Sequence, residues 1–470
     1  MTSYVSALWT RLGHARTAMS PPALPKNADA LKIGILGAAD ITPLSLIRPA
    51  QSHPGIVVYA VAARDRKRAE AFASKWSIPR VFDSYDDLIS CPDIDCIYNP
   101  LPNGLHSAWT LKAIQAGKHV LLEKPSGANA EDAASIFDAA KKANVVCLEA
   151  IHPAFHPARH EFAYQLGKIV NPQNPLKRAS SSFCVPAGAL PKGDDDIRFN
   201  FSLAGGIMMD MGVYAVQSGL WPLLIAGGTL NRAQWWEGIE IESAEHELFE
   251  PAGEQGKKQV LDPATGKNAI DRSMHAVIRM PTARNEKLPV DIRADMGYGL
   301  PVPLLPSSVP LLGRLKLPYF EWPTLTATTK DGSTVVLHNH LVPNFFHSIV
   351  VTRRGRTAAE AGVAEGSQET IKAYVPRAES AGTDFMKRGS KNGHWPVGTG
   401  EEWWTTYRWQ LEAFVLAVQN VKAGRAEADD EDQSKLAPVW LPSRQSKVYA
   451  QVIDQIYAKS GLPKRQPTVV

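Results

Sequence analysis

The chain has 470 residues, a formal net charge of +4 at pH 7, 44% hydrophobic and 21% charged residues. That length exceeds one ordinary core and implies two domains. The composition is that of a soluble globular protein, and so mild a charge, with no prominent basic run, excludes an electrostatic argument for a nucleic-acid partner.

No apolar run approaches the ~20 residues needed to span a bilayer, so no membrane partner is expected. The nearest, Gly299 to Gly313, is broken by four prolines. Cys91, Cys96, Cys147 and Cys184 show neither zinc-type pairing nor the density of a secreted scaffold. A reduced, cytoplasmic protein without a metal is the economical expectation. The first 30 residues carry Arg11 and Arg16 and no acid before Asp29, a weak likeness to an import signal. They end in Pro21-Pro22-Ala-Leu-Pro25-Lys26, which reads better as a helical extension joined by a linker. Mitochondrial import is the minor alternative.

Leu31 to Leu36 reads as a buried strand entering a tight turn at Gly37-Ala38-Ala39-Asp40-Ile41-Thr42. Aligned on Gly37, a G-x-G-x-x-G fingerprint is degenerate here, with Ala39 and Thr42 at its later positions. A small Ala39 still admits a pyrophosphate to the backbone, and the helix start still offers free N–H groups. A plain strand-turn-helix competes with that reading. The next strand, Ile56 to Ala63, ends in Arg64-Asp65-Arg66-Lys67-Arg68. Arg64 and Arg68 lie one helical turn apart and suit a 2′-phosphate, which guanidinium groups grip in a fork. NADP is therefore expected over NAD. Asp65 is the objection, because an acid here holds the ribose hydroxyl in NAD sites.

A helix over 66–76, a short helix after Asp83 and a strand over 94–98 follow, opening into Asn99-Pro100-Leu101-Pro102-Asn103-Gly104-Leu105-His106. A helix over 106–117 returns to His119-Val-Leu-Leu-Glu123-Lys124-Pro125, an apolar strand that delivers an ammonium to the carboxyl edge of the sheet. Pro125 keeps Lys124 out of the next helix. A helix over 129–143 and a strand over 145–149 complete an alternating β/α series, the signature of a doubly wound parallel sheet. Beyond residue 150, β-rich runs at 178–185, 274–280, 290–296, 325–329 and 333–337 suit a mainly antiparallel sheet flanked by helices. The expected organisation is an extension (1–30), a Rossmann domain (31–152) and an α+β substrate and dimerisation domain (153–470), with insertions near 299–322 and 377–401. Gly205-Gly206 marks a turn into a helix on which Asp210 and Tyr214, four apart, share a face. Trp403 and Trp404 read as core residues at a helix start, with a sugar-stacking platform as the alternative.

Five motifs in this order carry a resemblance: Ile35-Leu-Gly-Ala-Ala-Asp-Ile41, Ala62-Ala-Arg-Asp65, Pro100-Leu-Pro-Asn-Gly-Leu-His106, Gly117-Lys-His-Val-Leu-Leu-Glu-Lys-Pro125 and Ala204-Gly-Gly-Ile-Met-Met-Asp-Met-Gly-Val-Tyr214. The chain resembles the glucose–fructose oxidoreductase/inositol dehydrogenase (Gfo/Idh/MocA) family, nearest its NADP-dependent D-xylose 1-dehydrogenase and dimeric dihydrodiol dehydrogenase branch. The resemblance implies that Gly37, Ala39, Asp40, Ile41, Arg64, Arg68, Leu101, Pro102, Asn103, His106, Glu123, Lys124 and Pro125 bind the cofactor. It implies a catalytic set of Lys124, Asp210 and Tyr214, and a homodimer. Many relatives have arginine at the position of Ala154, which loosens the substrate assignment.

The implied reaction moves hydride from C1 of an aldose to NADP+, giving an aldonolactone. Tyr214 is expected as general base, its pKa depressed by the Lys124 ammonium and the positive nicotinamide ring. The roles of Lys124 and Tyr214 are exchangeable. Alternatives are a trans-dihydrodiol or another sugar derivative as substrate, and a non-catalytic NAD(P)-sensing regulator.

Overall fold

The computed structural model describes residues 2–186, 196–226, 237–251, 254–282, 286–301, 316–318, 321–378, 395–429 and 433–469. Leu31–Leu36 (β1), Ile56–Ala62 (β2), Arg80–Phe82 (β3), Cys96–Asn99 (β4), His119–Leu122 (β5) and Cys147–Glu149 (β6) form one sheet in the order β3-β2-β1-β4-β5-β6. Every pair in it is parallel. Ile33, Ile35, Ile97, Val120 and Leu121 are wholly buried, as expected where helices cover both faces and strands read as unbroken apolar runs. The strand order reverses between β1 and β4, so a ligand crevice opens at their carboxyl ends. The turns after β1, β4 and β5 all meet there.

Local signals start the helices where the sequence places them. Asp65 caps the helix Arg66–Trp76 by accepting from the N–H groups of Lys67 and Arg68, and Asn129 caps Ala130–Ala143 through Asp132. The N-terminal extension forms the helix Thr2–Met19. Lys26 then fastens the following linker to the carbonyl of His53 at 2.9 Å.

The second sheet comprises Leu176–Pro186 (β7), Glu240–Leu248 (β8), Asp271–Pro281 (β9), Lys287–Pro301 (β10), Lys316–Pro318 (β11), Thr324–Thr329 (β12), Thr334–His338 (β13), Ser348–Arg353 (β14) and Ser367–Ile371 (β15). Its order is β15-β14-β13-β12-β7-β10-β9-β8, with β11 paired to β10. Only the central β7–β10 pair is parallel among these strands. Leu325, Ala327, Val335, Leu337, Ile349 and Val351 alternate with half-buried neighbours and form the inner face. The helices Pro157–Ile169 and Val213–Ala226 pack on this sheet.

Four strands differ from the sequence reading. β3 has only three residues, β8 is charge-rich along its whole length, and β14 and β15 extend the far edge. Of the expected insertions, 299–322 contributes the end of β10 and β11, and most of its remainder lies outside the described residues, as does most of 377–401. Among the described residues no helix is long and apolar enough to cross a membrane, and no group of His, Cys, Asp and Glu could hold a metal. The four cysteines are unpaired.

Candidate active site

Lys124 leaves the end of β5 in an irregular turn, followed by a cis bond to Pro125, and does not enter a helix. Its Nζ crosses to the second half of the molecule. There it donates to the Asp210 carbonyl oxygen at 2.7 Å and to Asp210 Oδ1 at 2.8 Å. An ammonium has three N–H groups; with two on Asp210, one is left to face a ligand. Asp210 lies in a π-helical turn, Met208–Gly212, that opens the α-helix Val213–Ala226. Such turns recur at functional sites because they redirect side chains. Asp210 and Tyr214 thus share a side of the molecule through a π turn, not through the regular α-helical face expected. The Tyr214 ring centroid lies 5.3 Å from Lys124 Nζ.

Arg198, which the sequence reading did not single out, completes the cluster. Its Nε donates to Asp210 Oδ2 at 2.8 Å, and its Nη1 to Asp196 Oδ1 at 3.1 Å. Charges therefore alternate along Lys124, Asp210, Arg198 and Asp196. Burial alone would raise the Asp210 pKa; the charges and hydrogen bonds of Lys124 and Arg198 outweigh it and hold the carboxyl below its usual range. Asp210 is a carboxylate that orients its neighbours.

Within the protein alone, the direction at Tyr214 is opposite to the one expected from Lys124 together with the nicotinamide ring. Burial, then Tyr407, Glu123 and Asp210, push its phenol well above the ordinary range. Lys124 cannot reverse this because Asp210 takes up its charge at hydrogen-bond distance. Tyr214 lies within an aromatic wall, edge-on to His152 (5.4 Å) and Phe183 (6.2 Å), with Tyr407 against His152 at 3.9 Å. His152 donates to or accepts from Thr406 Oγ1 at 2.7 Å. Trp404 packs edge-on to Trp409 at 4.9 Å and carries the Arg408 guanidinium at 3.7 Å, a packing role.

Two side chains assigned to the cofactor turn inward instead. Glu123 is buried and accepts from Tyr98 Oη at 2.7 Å; Ser45 Oγ lies 2.6 Å beyond. Burial raises its pKa despite the opposing charge of Lys124. The His106 ring is 1% exposed, with both nitrogens 2.7 Å from carbonyl oxygens, those of Pro125 and Leu101. Burial pushes its pKa down to about 4, so it is a neutral clamp between the turns after β4 and β5. Both side chains are held by partners within the protein. A motif position does not reveal whether a polar group faces inward, and inward hydrogen bonding won at both.

The other residues named from the sequence lie around the carboxyl ends of β1, β2, β4 and β5. Gly37 has φ +88°, and a Cβ there would stand 3.1 Å from the Leu101 side chain, which ties the first turn to the β4 turn. Ala39 is half-buried, and Asp40 and Ile41 are exposed on this edge. Pro102 is half-buried, and Asn103 donates across the crevice to the Ala204 carbonyl at 3.1 Å. Arg64 is exposed at the end of β2, and Arg68 donates to the Ala38 carbonyl at 3.0 Å. A glycine-opened turn at the switch point, with basic groups beyond β2, fits a dinucleotide.

Residues 31–151 match the GFO_IDH_MocA family, described as an oxidoreductase family with an NAD-binding Rossmann fold. Through these residues the chain is similar to that oxidoreductase family. A D-xylose 1-dehydrogenase (NADP(+)) of Haloferax volcanii is 40% identical over 192 residues, 40% of this chain and 56% of that protein. A dTDP-3,4-didehydro-2,6-dideoxy-alpha-D-glucose 3-reductase of Streptomyces violaceoruber is 33% identical, covering 51% of this chain and 65% of that one. A mouse trans-1,2-dihydrobenzene-1,2-diol dehydrogenase is 33% identical, covering 40% and 55%. The matches thus span less than two thirds of these curated relatives. Among solved structures, the 3-ketoreductase KijD10 of Actinomadura kijaniata with NADP and TDP-benzene aligns over 92% of this chain and 98% of that one (TM-score 0.60, 18% identity). Levoglucosan dehydrogenase with NADH and levoglucosan aligns over 92% and 97% (TM-score 0.59, 15% identity). At such identities they establish a shared fold.

Proposed function

We propose that the protein is an NADP-dependent dehydrogenase that oxidises an aldose of the D-xylose kind at C1 to the aldonolactone. The observation that carries this is the meeting of Lys124, from the carboxyl edge of the Rossmann sheet, with Asp210 and Tyr214 of the second half. The 40% identical D-xylose dehydrogenase supports the substrate class.

Bound NADP+ supplies the hydride acceptor. Gly37, Ala39, Asp40, Ile41, Leu101, Pro102, Asn103 and Pro125 are the residues that would hold it. Arg64 and Arg68 favour the 2′-phosphate. The objection from Asp65 weakens, because its carboxylate is engaged in capping Lys67 and Arg68. At the reacting carbon, Asp210 fixes Lys124, whose third N–H position meets the C1 hydroxyl. Tyr214, held as a neutral phenol, is a hydrogen-bond donor to that oxygen. The exchanged assignment of the two residues is therefore the better supported: Lys124 as the amine takes the hydroxyl proton, and as ammonium returns it in the reverse direction.

A second reading is a trans-dihydrodiol substrate. The wall of His152, Phe183 and Tyr407 around Tyr214 offers an unsaturated ring a packing surface, and the mouse relative acts on such a diol by its name. A panel of aldoses and trans-diols, followed by NADPH fluorescence with NADP+ or NAD+, separates them. Pentose-dependent NADPH formation supports the first reading and diol-only turnover the second. Cofactor binding with no turnover on any substrate would favour a sensor. A cytoplasmic homodimer, paired through the open face of the second sheet, belongs to the same proposal; sedimentation at the mass of a monomer would contradict the pairing.

A further inference from the structure

The segment from Leu462 to Thr468 runs between the two halves of the active site. Arg465 is wholly buried, as is its partner Asp271. Its Nε donates to the Gly205 carbonyl at 2.6 Å, and its Nη2 to Asp271 Oδ1 at 2.8 Å and the Ala269 carbonyl at 2.9 Å. Asp271 also accepts from Tyr457 Oη at 3.0 Å and from the Met208 N–H at 2.9 Å, at the start of the π turn bearing Asp210. On the Rossmann side, Asn129 donates to the Arg465 carbonyl at 2.9 Å. Three residues on, the Thr468 N–H donates to the Gly104 carbonyl at 2.8 Å and its Oγ1 to the Ser202 carbonyl at 2.6 Å.

Gly104 lies in the turn between Leu101 and His106, whereas Ser202 and Gly205 lead into Asp210. One short segment therefore holds both loops. The glycines fit this arrangement. Gly206 has φ +125°, and a Cβ there would fall 2.1 Å from Asp271 Oδ1 and 2.7 Å from Arg465 Nη2. A Cβ on Gly104 would fall 2.3 Å from Thr468 Oγ1. The Gly-Gly pair, legible in the sequence only as a turn, makes room for the Arg465–Asp271 pair. A buried ion pair adds little net stability but is geometrically demanding. Reacting groups must be held to within about 0.5 Å of productive geometry.

We propose that Arg465 and Thr468 are positioning residues that set the approach of the Asp210 turn to the loop 101–106, and through it to Lys124. This rests on the reading of Lys124 and Asp210 as the reacting site. Both act through the backbone carbonyls of Gly104, Ser202 and Gly205, which they hold.

Thr468→Pro in the full chain removes both the N–H and hydroxyl donors, and Thr468→Ser retains both. Arg465→Lys keeps the charge but loses the fork. For Thr468→Pro, kcat should fall about ten- to a hundredfold, the scale of a small misplacement, with the melting temperature unchanged. Thr468→Ser should restore kcat to within about threefold. Hydrogen exchange should quicken in 101–106 and 198–206 and stay unchanged in β1 and β2. Wild-type kcat with unchanged exchange in Thr468→Pro overturns the proposal, as does an equal loss in Thr468→Ser. If Arg465→Lys does not fold, the Thr468 pair decides alone. If the wild type turns over no substrate, the dehydrogenase reading fails, and the exchange pattern still decides the role of this segment.

Discussion

Glu149 provides a test with a magnitude attached. It closes β6, is 2% exposed, and accepts through Oε1 from the Ser126 N–H at 2.8 Å, two residues beyond Lys124. Burial pushes its carboxyl up to about 7, against the pull of Ser446, Ser126 and Lys124. The unfolded chain loses this proton near 4.5 while the folded chain keeps it to about 7. Across that window the folded state binds more protons, so the contribution to stability falls as pH rises, and levels off above it. The gap amounts to about 3 kcal/mol at full ionisation, since each pKa unit is worth about 1.4 kcal/mol. Glu149→Gln retains an acceptor for Ser126 and cannot ionise. Urea midpoints should show the variant level with the wild type at pH 5 and more stable by up to about 3 kcal/mol at pH 8.5. An offset identical at both pH values would refute the reasoning, because it would show that Glu149 does not lose a proton across that window.

Three further outcomes follow from the site. Arg64→Ala should weaken NADP+ binding by about tenfold, the loss of one charged hydrogen bond to a phosphate, with the NAD+ affinity unaltered in a fluorescence titration. Asp210→Asn leaves two cations facing a neutral amide; kcat/KM should fall at least a hundredfold (about 3 kcal/mol or more) while cofactor binding persists. Tyr214→Phe should lower kcat by only about tenfold, the cost of one donor; a loss of about a thousandfold or more, the scale of a lost general base, would return the base role to the phenol.

The fold was legible where apolar runs alternate with helical patterns, most plainly at β5, which is buried throughout. It was illegible where a strand is three residues long, as in β3, or charged throughout, as in β8. At the site, the turn at Lys124 and the spacing of Asp210 and Tyr214 pointed to the residues that the fold brings together. Arg198 escaped because its partner is twelve residues away through irregular chain, and no periodicity marks an arginine that will find a carboxylate. Arg465 escaped for the same reason over a far longer separation. The one available sign was the Gly-Gly pair, which required something to fill the space a side chain would have taken. Glu123 and His106 were in the right place but face inward, a distinction that burial settles and residue type does not.

The central claim is that Lys124, held by Asp210 across the two halves, is the group that exchanges the proton during hydride transfer. Single-turnover formation of NADPH by Lys124→Met with a pentose substrate tests it most directly. The expected result is a rate lowered by a thousandfold or more, roughly the loss of a general base and its positioning, with NADP+ affinity within about threefold of wild type. A rate near that of the wild type would contradict it.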